Sequence, residues 1–367
     1  MQLIRENGYI NLNEFFFNKY GINVNEITDL RNVITLEQLG NRSKFWFDLD
    51  DRRVMFKEQY ADTLEAYAEL ILSLMIEKMQ IPYLSAAKYD LAVLTYKDKK
   101  ILGVITENFK KEGIKYYTGS DIIVDVYNRY IKNDIGLIKE LGLEGLDEKS
   151  LLNKLNSLEE LWLILTNFFR NKPYAEDNVT RLMSSLANLY MFDALTIQGD
   201  RHSDNWMVGI DENGKAFLAP LYDNSNALNL NRQKTFDSLV NNFNSYKKLN
   251  EIKKPRLYKK ILGQVYHPST LLTVELRDNL KNKKNCLDVL EDFIVISDSQ
   301  YKEILGKMIS FIKDGRMNEV YEEVEKKIGQ PLPDKLKYYL AEIFKVHISE
   351  IEKRFDLEEW KVKGGLR

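Results

Sequence analysis

The tightest constraint on the fold lies in residues 199–223, GDRHSDNWMVGIDENGKAFLAPLYD. Two apolar runs flank the turn DENGK, a pattern that predicts a hairpin over residues 206–219 inside an otherwise helical region. A hairpin returns the chain to its start, so Asn205 and Asp223, 18 positions apart, face each other. Upstream, SSLANLYMFDALTIQ reads as a buried helix, and Gly199 as the turn that presents Asp200.

Those residue types suit one chemistry. Mg²⁺ takes one or two protein oxygens and completes its shell with phosphate oxygens and water, so Asn205 and Asp223 are candidate metal ligands; Mn²⁺ accepts similar donors. The carboxylate of Asp200 can accept or orient the proton of an attacking hydroxyl, which makes it the candidate catalytic residue. His202 belongs with the nucleotide-binding set. As a loop histidine it is expected to be packed and hydrogen-bonded, leaving the base role to Asp200. Arg201 reads as a structural ion-pair partner.

A cation for the phosphates must come from elsewhere. Between about residues 34 and 106 the pattern is strand-rich. KFWF and RVMFK flank DLDD as one hairpin, with Phe45, Phe47 and Met55 alternating across it. YDLAVLTY and KILGVIT flank KDKK as a second. Between them, residues 62–80 carry apolar side chains at helical spacing, with Asp62 or Thr63 as cap and Pro82 as a stop. Lys57 ends the strand before this helix, where Glu69, or Glu65 one turn earlier, can hold it extended. Gly40 and Ser43 lie in the loop LGNRSK, whose backbone amides could approach phosphate oxygens. An α+β bilobal fold follows: an antiparallel-sheet N-lobe with one helix over residues 1–115, and a mostly helical C-lobe over 116–367. Helices are expected near 120–132, 150–170 and 177–197, and in several segments between 255 and 355. Residues 224–250, with eight asparagines, read as an exposed, mobile, turn-rich segment that meets the acceptor.

Composition excludes other classes. With 44% hydrophobic and 29% charged residues the chain can build a core and a wet surface, and its net charge of −2 gives no field for nucleic acid or an anionic membrane. The runs KDKK and KNKKN read as solvated surface. Cys286 stands alone, so no intramolecular disulfide and no cysteine-built zinc site can form. The start lacks a signal-like apolar core, and no run approaches the ~18 apolar residues of a membrane span. A cytoplasmic location is the expectation.

Taken together, GNRSKFWF, VMFK, EAYAELILSLMIEKMQIP, GVITENF, DALTIQGDRHSDNWMV and PLYDNSNAL resemble the HipA-like kinases of the protein-kinase-like superfamily, over about residues 38 to 228. The resemblance implies ATP as phosphate donor, Lys57 on its phosphates, Asp200 as catalytic aspartate, and Asn205 and Asp223 on Mg²⁺. It places Glu107, Asn108 and Phe109 of TENF at a hinge, where their backbone would meet adenine. It also implies that Ser43 can be self-phosphorylated, which would switch the enzyme off. Members often carry Asn before DRH; this chain has Gln198-Gly199. Lys57 comes too early for the extra N-terminal subdomain through which the HipA toxin contacts its antitoxin, so a shorter, stand-alone type without a HipB-type partner is expected. The acceptor is expected to be a protein hydroxyl on Ser, Thr or Tyr. GDRHSDN is also similar to the catalytic loop of phosphoinositide kinases, which leaves a lipid or small-molecule kinase as the alternative, with a nucleotide-binding pseudokinase as the third. All these readings require Lys57 within ~15 Å of Asp223, the span one nucleotide and its metal can bridge.

Overall fold

In the computed structural model the described residues are 3–24, 34–37, 44–50, 52–60, 63–154, 158–198, 200–232, 235–253 and 299–355. Gly40, Ser43, Asp62, Gly199, Lys234 and Cys286 lie outside them, as does the run KNKKN.

Both predicted hairpins form. Strands β1 (Arg5–Glu6) and β2 (Tyr9–Asn11) precede α1 (Leu12–Tyr20), then come β3 (Thr35–Glu37), β4 (Lys44–Leu49) and β5 (Arg52–Glu58). Helix α2 spans Glu65–Met79, followed by β6 (Tyr89–Tyr96) and β7 (Lys99–Glu107). The turn between β6 and β7 places Lys97 and Asp98 at φ 46° and 61°, the left-handed pair of a tight two-residue hairpin. Together these strands form a sheet in the order β1-β2-β6-β7-β5-β4-β3. It is antiparallel except for β2, which pairs parallel with β6. The sequence reading did not anticipate β1 and β2, because strands of two and three residues are too short to show a period.

The two faces of this sheet carry different partners. On one, α1 lays Phe15 and Phe16 against Phe45, Phe47 and Phe56, with Val54, Leu94 and Ile105 completing a small core. Asn11 caps α1 by accepting from the amides of Asn13 and Glu14. Met55 is corrected here. Strand β5 pairs Phe45 with Phe56 and Trp46 with Met55, so the inward set is Phe45, Phe47, Val54 and Phe56. Side chains alternate along a strand, so Met55 and Lys57 share the opposite face.

That opposite face receives α2, and every residue from Glu65 to Ile76 is buried. A helix apolar all round belongs inside a core rather than on a surface. Of the expected caps, Asp62 lies outside the described residues and Thr63 is corrected: its Oγ1 donates to Tyr60 O, while Gln59 Oε1 accepts from Ala66 N at 3.2 Å in the first turn of α2.

Beyond residue 107 come β8 (Lys115–Thr118), α3 (Gly119–Val126), a π-helical turn (Tyr127–Ile131), α4 (Ile135–Glu140), α5 (Glu148–Lys154), α6 (Leu158–Phe169) and α7 (Ala175–Leu195). The predicted hairpin is β9 (Met207–Ile210) and β10 (Ala216–Leu218), with β8 added antiparallel along β9. Helices α8 (Phe236–Lys253), α9 (Ser299–Lys313), α10 (Met317–Ile328) and α11 (Asp334–Phe355) complete the fold. The exposed, turn-rich reading of residues 224–250 is corrected in two parts: 224–232 is built of turns but largely buried, and Phe236 onward is helical. Asn224, Ser225, Leu228 and Leu230 are buried, and α8 packs Leu239 and Phe243 into the core. Asparagine count misled because Asn224, Asn226 and Asn231 make specific internal hydrogen bonds instead of favouring solvent.

Gly103 in β7 lies where β5 passes closest. A Cβ there would stand 2.2 Å from Lys57 O and 3.0 Å from the Phe56 ring. Backbone cannot yield as a side-chain tip does, so Gly103→Ala should destabilise the fold by roughly 1–3 kcal/mol. Urea unfolding midpoints check this, and an unchanged midpoint would contradict the packing described.

Candidate active site

Lys57 is buried, and its ammonium donates to Glu69 Oε1 at 2.8 Å and to Asp223 Oδ1 at 2.6 Å. The choice between Glu65 and Glu69 therefore falls to Glu69; Glu65 Oε2 accepts from Tyr60 N instead. Burial works against the charge on Lys57, but the two carboxylates outweigh it and raise its pKa well above the ordinary lysine value. The second oxygen of Glu69 accepts from Asn224 N at 2.8 Å, tying α2 to the residue after Asp223. Tyr89 OH accepts from Asp223 N at 3.3 Å. Burial, then the charges of Glu69 and Asp223, push this phenol well above its usual pKa, so it stays neutral.

Asp223 sits in the left-handed region at φ 56°. Aspartate tolerates that conformation better than most residues. Its Oδ1 also accepts from Ser225 Oγ at 3.1 Å, and its carbonyl accepts from Gln198 Nε2 at 3.0 Å. Gln198 Oε1 in turn accepts from Asp200 N at 3.3 Å. Gln198 thus links the backbones of the two aspartates. Just before it, buried Ile197 is held at φ 59°. A β-branched side chain there costs roughly 1–3 kcal/mol, and the core around the end of α7 holds it in place.

Arg201 organises the loop from within. It pairs with Asp193 of α7 through Nε–Oδ2 at 2.8 Å and a second bond to Oδ1 at 3.1 Å. It also donates to the carbonyls of Asn205 (2.9 Å) and Tyr222 (2.7 Å) and to Asn224 Oδ1 (2.6 Å). Its predicted structural role is what the geometry displays. Asn205 Nδ2 donates to Asp200 O at 2.7 Å, so the end of its amide left for a cation is the oxygen. His202 is a partly buried loop residue: its Nδ1 accepts from Asp204 N at 3.3 Å. Burial opposes its charge, but the nearby Asp204 side-chain carboxylate, 3.5 Å from Nδ1, and the charges of Asp200 and Asp223 raise its pKa above the ordinary histidine value. The loop is closed by Tyr222 OH, which donates to Asp204 O at 2.6 Å. On its far side Gly119 lies against Trp206, where a Cβ would come within 2.3 Å of the indole.

The predicted hinge joins the large sheet to β8. Glu107 pairs with Arg52, and Phe109 stacks on Tyr222 with centroids 5.7 Å apart. Asn108 N donates to Arg53 O at 2.9 Å. Lys57, Glu69, Asp200, Asn205 and Asp223 are thus linked through one hydrogen-bond network, while Gly40 and Ser43 lie outside the described residues. Sequence reasoning missed Gln198, Asn224 and Asn226. The only signal for the two asparagines was the density of asparagine just after Asp223, at 224, 226, 229 and 231.

No family model matches the chain, and no curated protein does. Comparison with solved structures shows a kinase-like fold. The kinase CtkA of Helicobacter pylori, described as proinflammatory, aligns over 87% of this chain and 93% of its own, with TM-score 0.55 and 16% identity. HipA of Shewanella oneidensis MR-1, solved with HipB and operator DNA, aligns over 87% of this chain and 65% of its own, with TM-score 0.43 and 13% identity. Among the described residues no helix is long and apolar enough to cross a membrane.

Burial raises the pKa of Asp193, and Arg201 pulls it only part of the way back. Arg201→Met would leave that carboxylate unpaired in the core, a loss of about 3–5 kcal/mol. Its folded pKa would then stand further above the unfolded value. The variant should therefore gain stability as pH falls, and lose it as pH rises through the folded pKa. Urea midpoints compared across that range for variant and wild type check this; a pH-independent loss would mean that another group is the one left unpaired.

Proposed function

We propose that the chain is an ATP- and Mg²⁺-dependent cytoplasmic protein kinase that transfers the γ-phosphate of ATP to a serine, threonine or tyrosine hydroxyl. One observation carries the reading: a buried lysine from the sheet is held between a helix glutamate and the carboxylate that follows the hairpin, Lys57 to Glu69 and to Asp223. A lysine so placed can pass from Asp223 to phosphate oxygens when a nucleotide enters, while Glu69 keeps it extended.

The donor set fits a magnesium ion. Asp223 supplies a carboxylate and Asn205 an amide oxygen, and Mg²⁺ prefers to complete such a pair with phosphate oxygens and water. When bound, the ion would neutralise phosphate charge and orient the γ-phosphoryl group. The chain's own residues do the rest. Asp200 orients the acceptor hydroxyl and takes its proton as the oxygen attacks the γ-phosphorus. The new O–P bond forms as the bond to the β–γ bridging oxygen breaks, and ADP leaves with that electron pair. Arg201 carries no part of this charge transfer. Buried and paired, it fixes the backbone carbonyls of Asn205 and Tyr222 and so sets the distance between the two sides of the metal site.

Asp223→Asn should abolish γ-phosphate transfer and remove the Mg²⁺-dependent part of nucleotide binding. Asp200→Asn should lower turnover by roughly 10²–10⁴ while leaving nucleotide binding intact. Thermal shift with ADP and Mg²⁺, alongside intact-mass detection of transferred phosphate, separates the two. Equal loss of nucleotide binding in both variants would mean that the roles are misassigned.

A further inference from the structure

Asp200 has a partner that the catalytic motif does not contain. Asn226 Nδ2 donates to Asp200 Oδ2 at 2.8 Å, and Asn226 Oδ1 accepts from Asn231 Nδ2. Both asparagines belong to the two-turn segment after Asp223, in which Leu228 and Asn229 take left-handed backbone angles. We infer that Asn226 and Asn231 form a relay that sets the orientation of the Asp200 carboxylate, which makes them positioning residues of the proposed phosphoryl transfer. The inference rests on the kinase reading above.

The direction of each bond follows from the chemistry of the groups. An ionised carboxylate only accepts, so the end of the Asn226 amide that meets Asp200 must be the nitrogen. The oxygen end then faces Asn231, which must donate. The relay therefore has one allowed polarity, and Asn231 fixes which way the Asn226 amide points. Tethered through Oδ2, Asp200 has its other oxygen, Oδ1, without a hydrogen bond to any described residue. That is the division a base needs: one oxygen held, the other for the acceptor hydroxyl.

A purely structural role for Asn226 is the competing explanation, and the surrounding bonds argue against it. The segment is already anchored without this side chain. Leu228 N donates to Thr196 O at 2.9 Å, Leu64 N donates to Leu230 O at 3.1 Å, and Tyr339 OH donates to Leu228 O at 2.9 Å. These bonds fasten it to the end of α7, the start of α2 and α11. Holding the segment in place does not require a half-buried amide to reach back to Asp200.

The polarity gives the test. Asn226→Ala removes the donor. Asn231→Asp sets a second carboxylate beside Asn226, whose single amide nitrogen is then contested by two carboxylates, so the tether to Asp200 is no longer fixed. Asn231→Ala removes the outer bond without adding that competitor. Transfer from ATP and Mg²⁺ to dephosphorylated casein, or to the enzyme itself, is followed by intact mass, and ADP–Mg²⁺ affinity by calorimetry. Turnover should fall roughly ten- to hundred-fold in Asn226→Ala and Asn231→Asp, and clearly less in Asn231→Ala. The ADP–Mg²⁺ dissociation constant should stay within about twofold of wild type in all three. Turnover unchanged in Asn226→Ala, equal losses in the two Asn231 variants, or affinity falling in step with turnover would each overturn the relay. If wild type transfers no phosphate to any acceptor, the kinase reading itself fails and the relay falls with it; active wild type with indifferent variants sinks the relay alone.

Discussion

The rest of the site depends on a buried ammonium shared by two carboxylates. Desolvating a lysine costs several kcal/mol, and here Glu69 and Asp223 offset that cost from two different parts of the chain. Because Glu69 also receives the amide of Asn224, the charge cluster couples the sheet, helix α2 and the segment after the hairpin. Displacing any one of the three would leave an uncompensated charge in a poorly solvated place. Opposite charge thus fixes the approach of sheet and helical region where apolar packing, which is non-directional, could not.

Arg201 does for the loop around Asp200 what Lys57 does for the wider site. Its planar guanidinium offers donors in a fixed fork, and the structure directs them to Asp193, to two carbonyls and to Asn224. The loop has little regular secondary structure of its own, so its shape is dictated by this buried hub and by the Tyr222 latch to Asp204. Gln198 and the Asn226–Asn231 pair extend the same principle outward. Side-chain amides supply both a donor and an acceptor and can therefore connect groups that only donate or only accept.

Much of this was legible in the sequence because it depends on local order. The two N-terminal hairpins, the β9–β10 hairpin and α2 follow from alternation, turn residues and helical spacing. The hairpin also brings the segments of Asn205 and Asp223 together by chain geometry alone. What escaped depends on partners remote in sequence. The parallel pairing of β2 with β6 is invisible in three residues, and the burial of α2 on every side needs α10, about 250 residues later. The asparagines after Asp223 were read by their average behaviour as turn formers. Their actual conformation is set by Thr196, Leu64 and Tyr339, none of them close in the chain. The assignment of Glu69 over Glu65 likewise needed the observed register, since both lie on one helical face.

The enclosure of α2 has a consequence for how such a site could be adjusted. One side of the helix meets the sheet, another the turns after Asp223, and another α10, so among the described residues no apolar stripe on it is left for an outside molecule to grip. Force applied to the Lys57–Glu69 contact must then arrive indirectly, through the C-terminal helices or the segment that follows the hairpin. The last part of the chain becomes a lever on chemistry carried by the first.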